Sequence, residues 1–575
     1  MTAARTVTAT FSQTAASSYT LSVAVTGTGS VTSSPAGINC GSSCSASYAS
    51  GTSVTLSAAA GSGYTFSGWS GSGVSCAGTG SCTVAMSVNR IVPAAFTPTS
   101  TTATTIRLIP VTTSPGTNEL VSLAIPFPPD TLTDASRLRI LDENGNEVPA
   151  YVAPKVYWYF KPNTAAIRSV LVQFRRSFSS SAEQRVTFDY SAPRLQNLAA
   201  PNYAEGLMIG KSSTEIPRIL PVLTAEWLTS SLVAGPQITK GQNNAYPDYE
   251  TWFETYYAQA KNYDYSADYT VWLFDRATAI YKQYIRTGNP DYLREAYNST
   301  TFYRSRINTS GSCIGSFNLG GKNCDAKYNY TEPFALHYML TGDDRFVQTI
   351  RDVADGWNNG FDPDYTVGNG FWTERHAGFG WLAAIHAYEA LGTQSYRDRM
   401  NYYANTLFAH VTTPPDGQGA DGCWRHDAYD HDASEFDSNY AGCSPWMTTM
   451  ILDAMWQYWF ITSDTRVGPA ARNFASFMEN YGWAASDRSH YFSSSKVPAS
   501  QYANSQDADT DLHNMEMIFI YSMAYGFDTN SANRLAYTSR ITTARSIFTY
   551  GAISTKRAFN WAFRGTSSFV HLMRQ

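Results

Sequence analysis

The sequence predicts a multidomain β + α protein: a small β repeat module, a β-barrel or β-sandwich domain, then an (α/α) toroid of about five to six helical hairpins. Three observations carry this. The chain has 575 residues, too many for one hydrophobic core. Its first part alternates short apolar–polar runs with Gly and Ser clusters, the pattern of half-buried strands between turns. From about residue 265 the period turns helical, and a tight polar turn recurs at intervals of roughly 50–70 residues.

Composition narrows the class. The formal net charge is -5 and charged residues make up 15%, which argues against a nucleic-acid partner and its basic face. Aromatics reach 14%, suited to core packing and to stacking on sugar rings alike. No apolar run is long enough for a transmembrane segment, and no signal-peptide h-region is present. The eight cysteines fall into four local pairs: Cys40/Cys44, Cys76/Cys82, Cys313/Cys324 and Cys423/Cys443. Pairs in Gly- and Ser-rich loops predict four disulfides and an oxidising compartment, so a secreted or cell-surface protein. No CxxC spacing points to a structural metal.

Taken in chain order, residues 1–17 read as the tail of a preceding repeat and a linker, because residues 5–11 echo residues 90–96. Any signal peptide then lies upstream. Residues 18–97 form one β module, with strands such as 19–23 and 54–56. Its Gly63-Tyr64-Thr65-Phe66-Ser67-Gly68-Trp69 phrase, Cys pair and closing strand to Phe96 resemble the divergent internalin-type bacterial repeat. Trp69 reads as a core anchor. Residues 98–104 are a Thr/Ser-rich linker.

Residues 105–200 are strand-rich, and Asn144-Gly145 marks a hairpin. The stretches at 124–128, 138–149 and 167–174, in that order, resemble the RIFT-type β-barrel of exo-rhamnogalacturonan-lyase-like proteins. In that family an α/α toroid follows the barrel. Residues 201–264 are transitional, and residues 265–575 are the expected toroid.

The hairpin turns open at Thr287-Gly288, Thr341-Gly342, Leu391-Gly392, Thr462-Ser463 and Phe527-Asp528. Gly after one helix and Asp or Asn before the next supply C-caps and N-caps. Long connections at 307–330, 358–373, 413–444 and 482–510 alternate with these turns. An up-down ring with such alternation gathers every long loop at one end, which becomes the working face.

The long loops carry the dense polar clusters. The candidates are Asn329, Tyr330 and Glu332 in the first; Trp372, Glu374, Arg375 and His376 in the second; Trp424, Arg425, His426, His431 and Tyr440 in the third. The fourth holds Asp507, Asp509, Asp511, His513, Asn514 and Glu516. His337 and His386 sit inside helices beside apolar residues and read as core or ring-lining.

The lyase resemblance implies β-elimination on a uronic-acid polysaccharide. That chemistry needs a group to neutralise the carboxylate, a base for the acidified C–H, and an acid for the leaving oxygen. By position and chemistry, His376 or His431 is the base and Tyr330 or Tyr440 the acid. Arg375, Arg425 and Asn329 bind the carboxylate, Glu332 and Glu374 orient their neighbours, and Trp372, Trp424 and His426 contact the sugar. No cofactor is called for. A divalent cation such as calcium on His426, His431, Asp427, Asp430 and Asp432 is an alternative use of the third loop. Two rivals stay open. One is a glycoside hydrolase drawing an acid pair from Glu332, Glu374, Asp427, Asp430, Glu435, Asp437 and Asp511. The other is a glycan-binding surface protein without catalysis.

Overall fold

The computed structural model describes residues 17–574 except 28, 41–42, 62–63, 71–75, 77, 99–102, 211, 213, 243–245, 364–372, 415–418, 427–441, 484–488, 491–492, 494, 496–512 and 549–555. The chain divides into two compact units, Met1–Thr102 and Ala103–Gln575.

The first unit holds β1 (Ser18–Thr26), β2 (Gly29–Ser34), β3 (Ser45–Ala49), β4 (Ser53–Ala60), β5 (Tyr64–Trp69), β6 (Cys82–Ala85) and β7 (Arg90–Pro98). They make two sheets, β3-β1-β7-β5 and β2-β4-β6, in which β1 and β7 run parallel. Leu21, Val31, Val54, Leu56, Val84, Val92 and Phe96 alternate inward to form its core. Trp69 is buried among them, and its indole N–H donates to the Gly80 carbonyl at 2.6 Å. It is the core anchor the sequence suggests. Disulfides Cys40–Cys44 and Cys76–Cys82 staple this small unit.

The second unit begins with β strands: β8 (Ala103–Pro110), β9 (Glu119–Pro126), β10 (Arg139–Leu141), β11 (Glu147–Val148), β12 (Ala150–Tyr157), β13 (Ile167–Arg176), β14 (Gln184–Asp189), β15 (Leu207–Ile209), β16 (Glu215–Pro217) and β17 (Ile219–Val222). A five-stranded sheet, β11-β10-β14-β8-β17, and a three-stranded sheet, β12-β13-β9, share one core. The β15-β16 pair stands apart. The first eight residues of β13 are all buried, so it is covered on both faces.

The helices follow: α1 (Ala225–Ser230), α2 (Asp248–Ala260), α3 (Arg276–Thr287), α4 (Pro290–Ser305), α5 (Glu332–Thr341), α6 (Arg345–Gly360), α7 (Glu374–Leu391), α8 (Gln394–Thr412), α9 (Pro445–Thr462), α10 (Val467–Phe477), α11 (Asn514–Gly526), α12 (Ser531–Ile547), α13 (Ala558–Phe563) and α14 (Ser568–Leu572). Helix α2 falls in the stretch read as transitional. Its Tyr249, Trp252, Phe253 and Tyr256 make a buried stripe at helical spacing.

Helices α3, α5, α7, α9 and α11 are buried almost all round, as inner helices must be. Each packs on the next, α11 packs on α13 and α14, and α13 returns to α3, which closes the ring. Among the described residues, α4, α6, α8, α10 and α12 lie outside it, and α2 packs on α13. The architecture is an α/α toroid.

The short turns share one end of the ring. Four inner helices stop at a left-handed C-cap, Gly288, Gly342, Gly392 and Ser463. The β domain covers this end. Ser169 donates to the Met339 carbonyl at 2.7 Å, Tyr388 to that of Tyr159 at 3.2 Å, and Lys161 to that of Phe460 at 3.3 Å. Contact is so close at Gly392 (φ +65°) that a Cβ there would lie 2.6 Å from the Tyr159 ring. Gly392→Ala should therefore combine backbone strain with a clash and lower stability by at least about 1 kcal/mol, read as a lower urea midpoint.

Candidate functional site

With the β domain on the short-turn end, the opposite end is bounded by the first turns of the inner helices and the long connections between them. Its floor is a cluster of aromatic core rings, each at most 3% exposed. The Phe274 ring lies 5.8 Å from Phe379, 5.5 Å from Trp446 and 5.3 Å from Trp561, all centroid to centroid. His513, just before α11, stacks 4.5 Å from Trp446 at 14° and 4.9 Å from Trp561 at 30°. Its Nδ1 is 3.3 Å from Oε1 of Glu516, one helical turn on. Asn289, Asp344 and the other short-turn residues lie at the far end of these helices, so they take no part.

Beside this floor stands a second histidine–carboxylate pair. Glu374 opens α7, and its Oε1 lies 3.0 Å from His426 Nδ1. The same oxygen accepts the Ser444 amide at 2.9 Å. Both side chains are wholly buried. A carboxylate beside Nδ1 orients the ring and favours the tautomer with its proton on that nitrogen. The first turn of α7 also favours a negative group at Glu374.

Local backbone pairing holds this geometry. His426 and Gly442 exchange both amide bonds, at 2.8 and 3.1 Å, and Cys443 and Ser493 do the same at 2.9 Å each way. The Cys423–Cys443 disulfide closes the same neck. All four pairs read from the sequence are bonded. The C423S/C443S double variant should lose about 2–4 kcal/mol, checked by denaturant unfolding.

The other candidates take varied places. His376 lies in the first turn of α7, its Nδ1 2.8 Å from Thr373 Oγ1 and its ring near Phe361. Arg375, half-buried, sits close enough to Lys327 to act on it. Burial pushes the Lys327 ammonium down, Asp325 opposes this, and the Arg375 charge adds to it. Tyr330 is spent on loop structure: its hydroxyl donates to the Lys327 carbonyl and accepts the Phe274 amide at 2.7 Å. Burial holds its pKa well above the ordinary value.

Asn329 accepts the Phe317 amide at 2.9 Å, and its own amide group donates to Ser316. Arg425 is buried against Asp421 at 2.7 Å and donates to the Gly419 carbonyl. Trp424 is a core anchor whose indole donates to the Leu407 carbonyl at 2.9 Å. Glu332 lies on the ring axis, bound to Lys282 at 2.9 Å and to Arg564 at 2.6 Å. Trp372, His431 and Tyr440 lie outside the described residues, as do Asp427, Asp430 and Asp432 of the alternative cation site. Among the described residues no group of three or more His, Cys, Asp or Glu is placed to hold a metal ion. Among them, too, no helix is long and apolar enough to cross a membrane.

The sequence had placed His513 and Glu516 on the working face without giving them a role, and it passed over Trp446 and Trp561. The i, i+3 spacing of His513 and Glu516 and the place of Trp446 in the first turn of α9 were the available signal.

Residues 19–100 match the divergent InlB B-repeat domain. No curated protein sequence matches the chain. Among solved structures, an unsaturated glucuronyl hydrolase specific for heparin is similar at 10% identity, over 57% of this chain and 97% of that one, with a TM-score of 0.39. A polysaccharide lyase is similar at 11% identity, over 57% of this chain and 98% of that one, with a TM-score of 0.41. The GH76A alpha-1,6-mannanase from Salegentibacter sp. HEL1_6 is similar at 14% identity, over 57% and 98% of the two chains, with a TM-score of 0.38.

Proposed function

We propose that the chain is a secreted glycan-degrading enzyme, and specifically a polysaccharide lyase that cleaves a uronic-acid glycan by β-elimination at the long-connection end of the toroid. The observation that carries this reading is the buried Glu374–His426 pair beside a floor of Trp446, Trp561 and Phe274. Four disulfides support an oxidising compartment.

In this reading an aromatic face takes the apolar side of the sugar. Arg375 neutralises the uronate carboxylate and so acidifies the adjacent C–H. His426 Nε2 removes that proton, and Glu374 steadies the imidazolium that forms. The electron pair of the C–H bond becomes the new C=C bond as the C–O bond to the leaving sugar breaks. His513, oriented by Glu516 between two indoles, returns a proton to the leaving oxygen. His376 is the second candidate for the base.

Hydrolysis would need two carboxylates across the scissile bond. Among the described residues at this end, Glu374 and Glu516 each hold a histidine, and Glu332 and Asp275 face Arg564, while Asp427, Asp430, Glu435, Asp437 and Asp511 lie outside the described residues. Digestion of acidic and neutral polysaccharides, followed at once by new reducing ends and by the ultraviolet absorbance of an unsaturated uronate, tests the reading. Matching rises support elimination. Reducing ends without absorbance would move the chemistry to a carboxylate pair, and silence on every glycan would favour a binding protein.

A further inference from the structure

A chain of buried charges runs along the axis of the ring, from the β domain to the underside of the aromatic floor. It starts at Arg168 on β13, a fully buried residue whose guanidinium stacks 4.7 Å from the Trp158 ring. Arg168 Nη2 reaches across to Glu389 Oε1 on α7 at 2.9 Å. Glu389 Oε2 lies 2.8 Å from His386 Nδ1, and His386 Nε2 lies 3.5 Å from Glu332 Oε2 on α5. Glu332 binds Lys282 of α3 and Arg564, the residue after α13. Arg564 also binds Asp453 of α9, and its Nε is 3.9 Å from Asp275 Oδ2. The Arg564 guanidinium then lies 5.5 Å from the Phe379 ring of the floor.

Every one of these side chains is at most 5% exposed. Charges so far from water must balance. The acids are Asp275, Glu332, Glu389 and Asp453, and the bases are Arg168, Lys282, His386 and Arg564. They cancel when all four acids are ionised, His386 carries its proton and Arg168 is present; burial pushes Asp275 up to about 6, so it too is ionised at neutral pH. Burial alone would lower the His386 pKa, yet Glu332 and Glu389 together raise it to about 9. The links sit in a close-packed interior, where removing the charge at one end changes the field and packing at the next.

We infer that Arg168, a residue of the β domain, is a positioning residue for the candidate site, acting through this uninterrupted chain of ion pairs to hold Arg564 and the aromatic floor. The β domain thus contributes to the working end of a ring whose opposite end it covers. The role rests on the long-connection end being the site proposed above.

The test compares three variants of the full chain. Arg168→Met removes the charge, Arg168→Lys restores it, and Lys155→Met breaks a different contact of the same interface, Lys155–Asp344 at 2.6 Å, which does not join the chain. In Arg168→Met, kcat should fall about tenfold with KM little changed. The imidazole resonances of both His386 and the floor residue His513 should shift, with the His386 titration displaced. Arg168→Lys should recover most of each effect, and Lys155→Met should match the parent. Arg168→Met and Lys155→Met behaving alike would overturn the inference, as would a change in stability with kcat, His386 and His513 unmoved. The resonances report on the chain whether or not a substrate is found, so failure of the glycan reading and failure of this one are told apart.

Discussion

Turnover of the glycan substrate is expected to fall by about 10³-fold in His426→Ala, with substrate binding largely kept. The imidazole is the only ring in the third loop that the structure fixes through Nδ1 to a buried carboxylate, among the described residues. Removing it takes away the proton acceptor, not the aromatic floor. Glu374→Gln should follow with a smaller loss, since the amide keeps the shape of the contact but supports an imidazolium poorly. The Ser444 amide that Glu374 also accepts would keep that side chain in place. Initial rates of kcat and KM on the same substrate separate the two effects. A Tyr330→Phe variant should retain most activity, because that hydroxyl is used by the backbone of Phe274 and Lys327.

The second large effect concerns stability. Arg564 is wholly buried and meets Glu332, Asp453 and Asp275 together. Arg564→Met leaves three carboxylates without their shared cation, and breaking a buried pair from one side costs about 3–5 kcal/mol. Denaturant unfolding should show this as a large drop in midpoint. The same network sets a pH dependence. The folded pKa of His386 is raised to about 9 from 6.5. Its contribution is fully present below about pH 6.5 and is lost as pH rises through 9. His337 behaves oppositely: burial pushes it down to about 3, so it folds neutral. Its contribution is present above about pH 6.5 and is lost as pH falls towards 3. Stability should therefore be greatest near neutrality and decline on both flanks, and His386→Gln should flatten the alkaline side.

What the sequence made legible was local. Left-handed caps at Gly288, Gly342 and Gly392 follow from helix-end chemistry that neighbouring residues determine, so the turns and the ring could be read directly. The alternation of short and long connections then oriented the ring without any distance. Contacts between distant segments were not legible. Glu374 and His426 are 52 positions apart and meet only because two long connections converge. Arg168 and Glu389 are 221 apart and join different layers. Asn329, Tyr330, Arg425 and Trp424 have the residue types of a sugar site, yet each is engaged with the backbone of its own surroundings. Residue type cannot say whether a polar group is spent on a loop or kept for a ligand; only its partners can.

If the Glu374–His426 pair performs the chemistry at the long-connection end, product formation must depend on that imidazole. The most direct measurement is the formation of unsaturated uronate ends from a uronic-acid polysaccharide by the parent, His426→Ala and Tyr330→Phe proteins, each verified as folded. Product is expected from the parent and Tyr330→Phe proteins and almost none from His426→Ala. Undiminished product from His426→Ala would contradict that dependence.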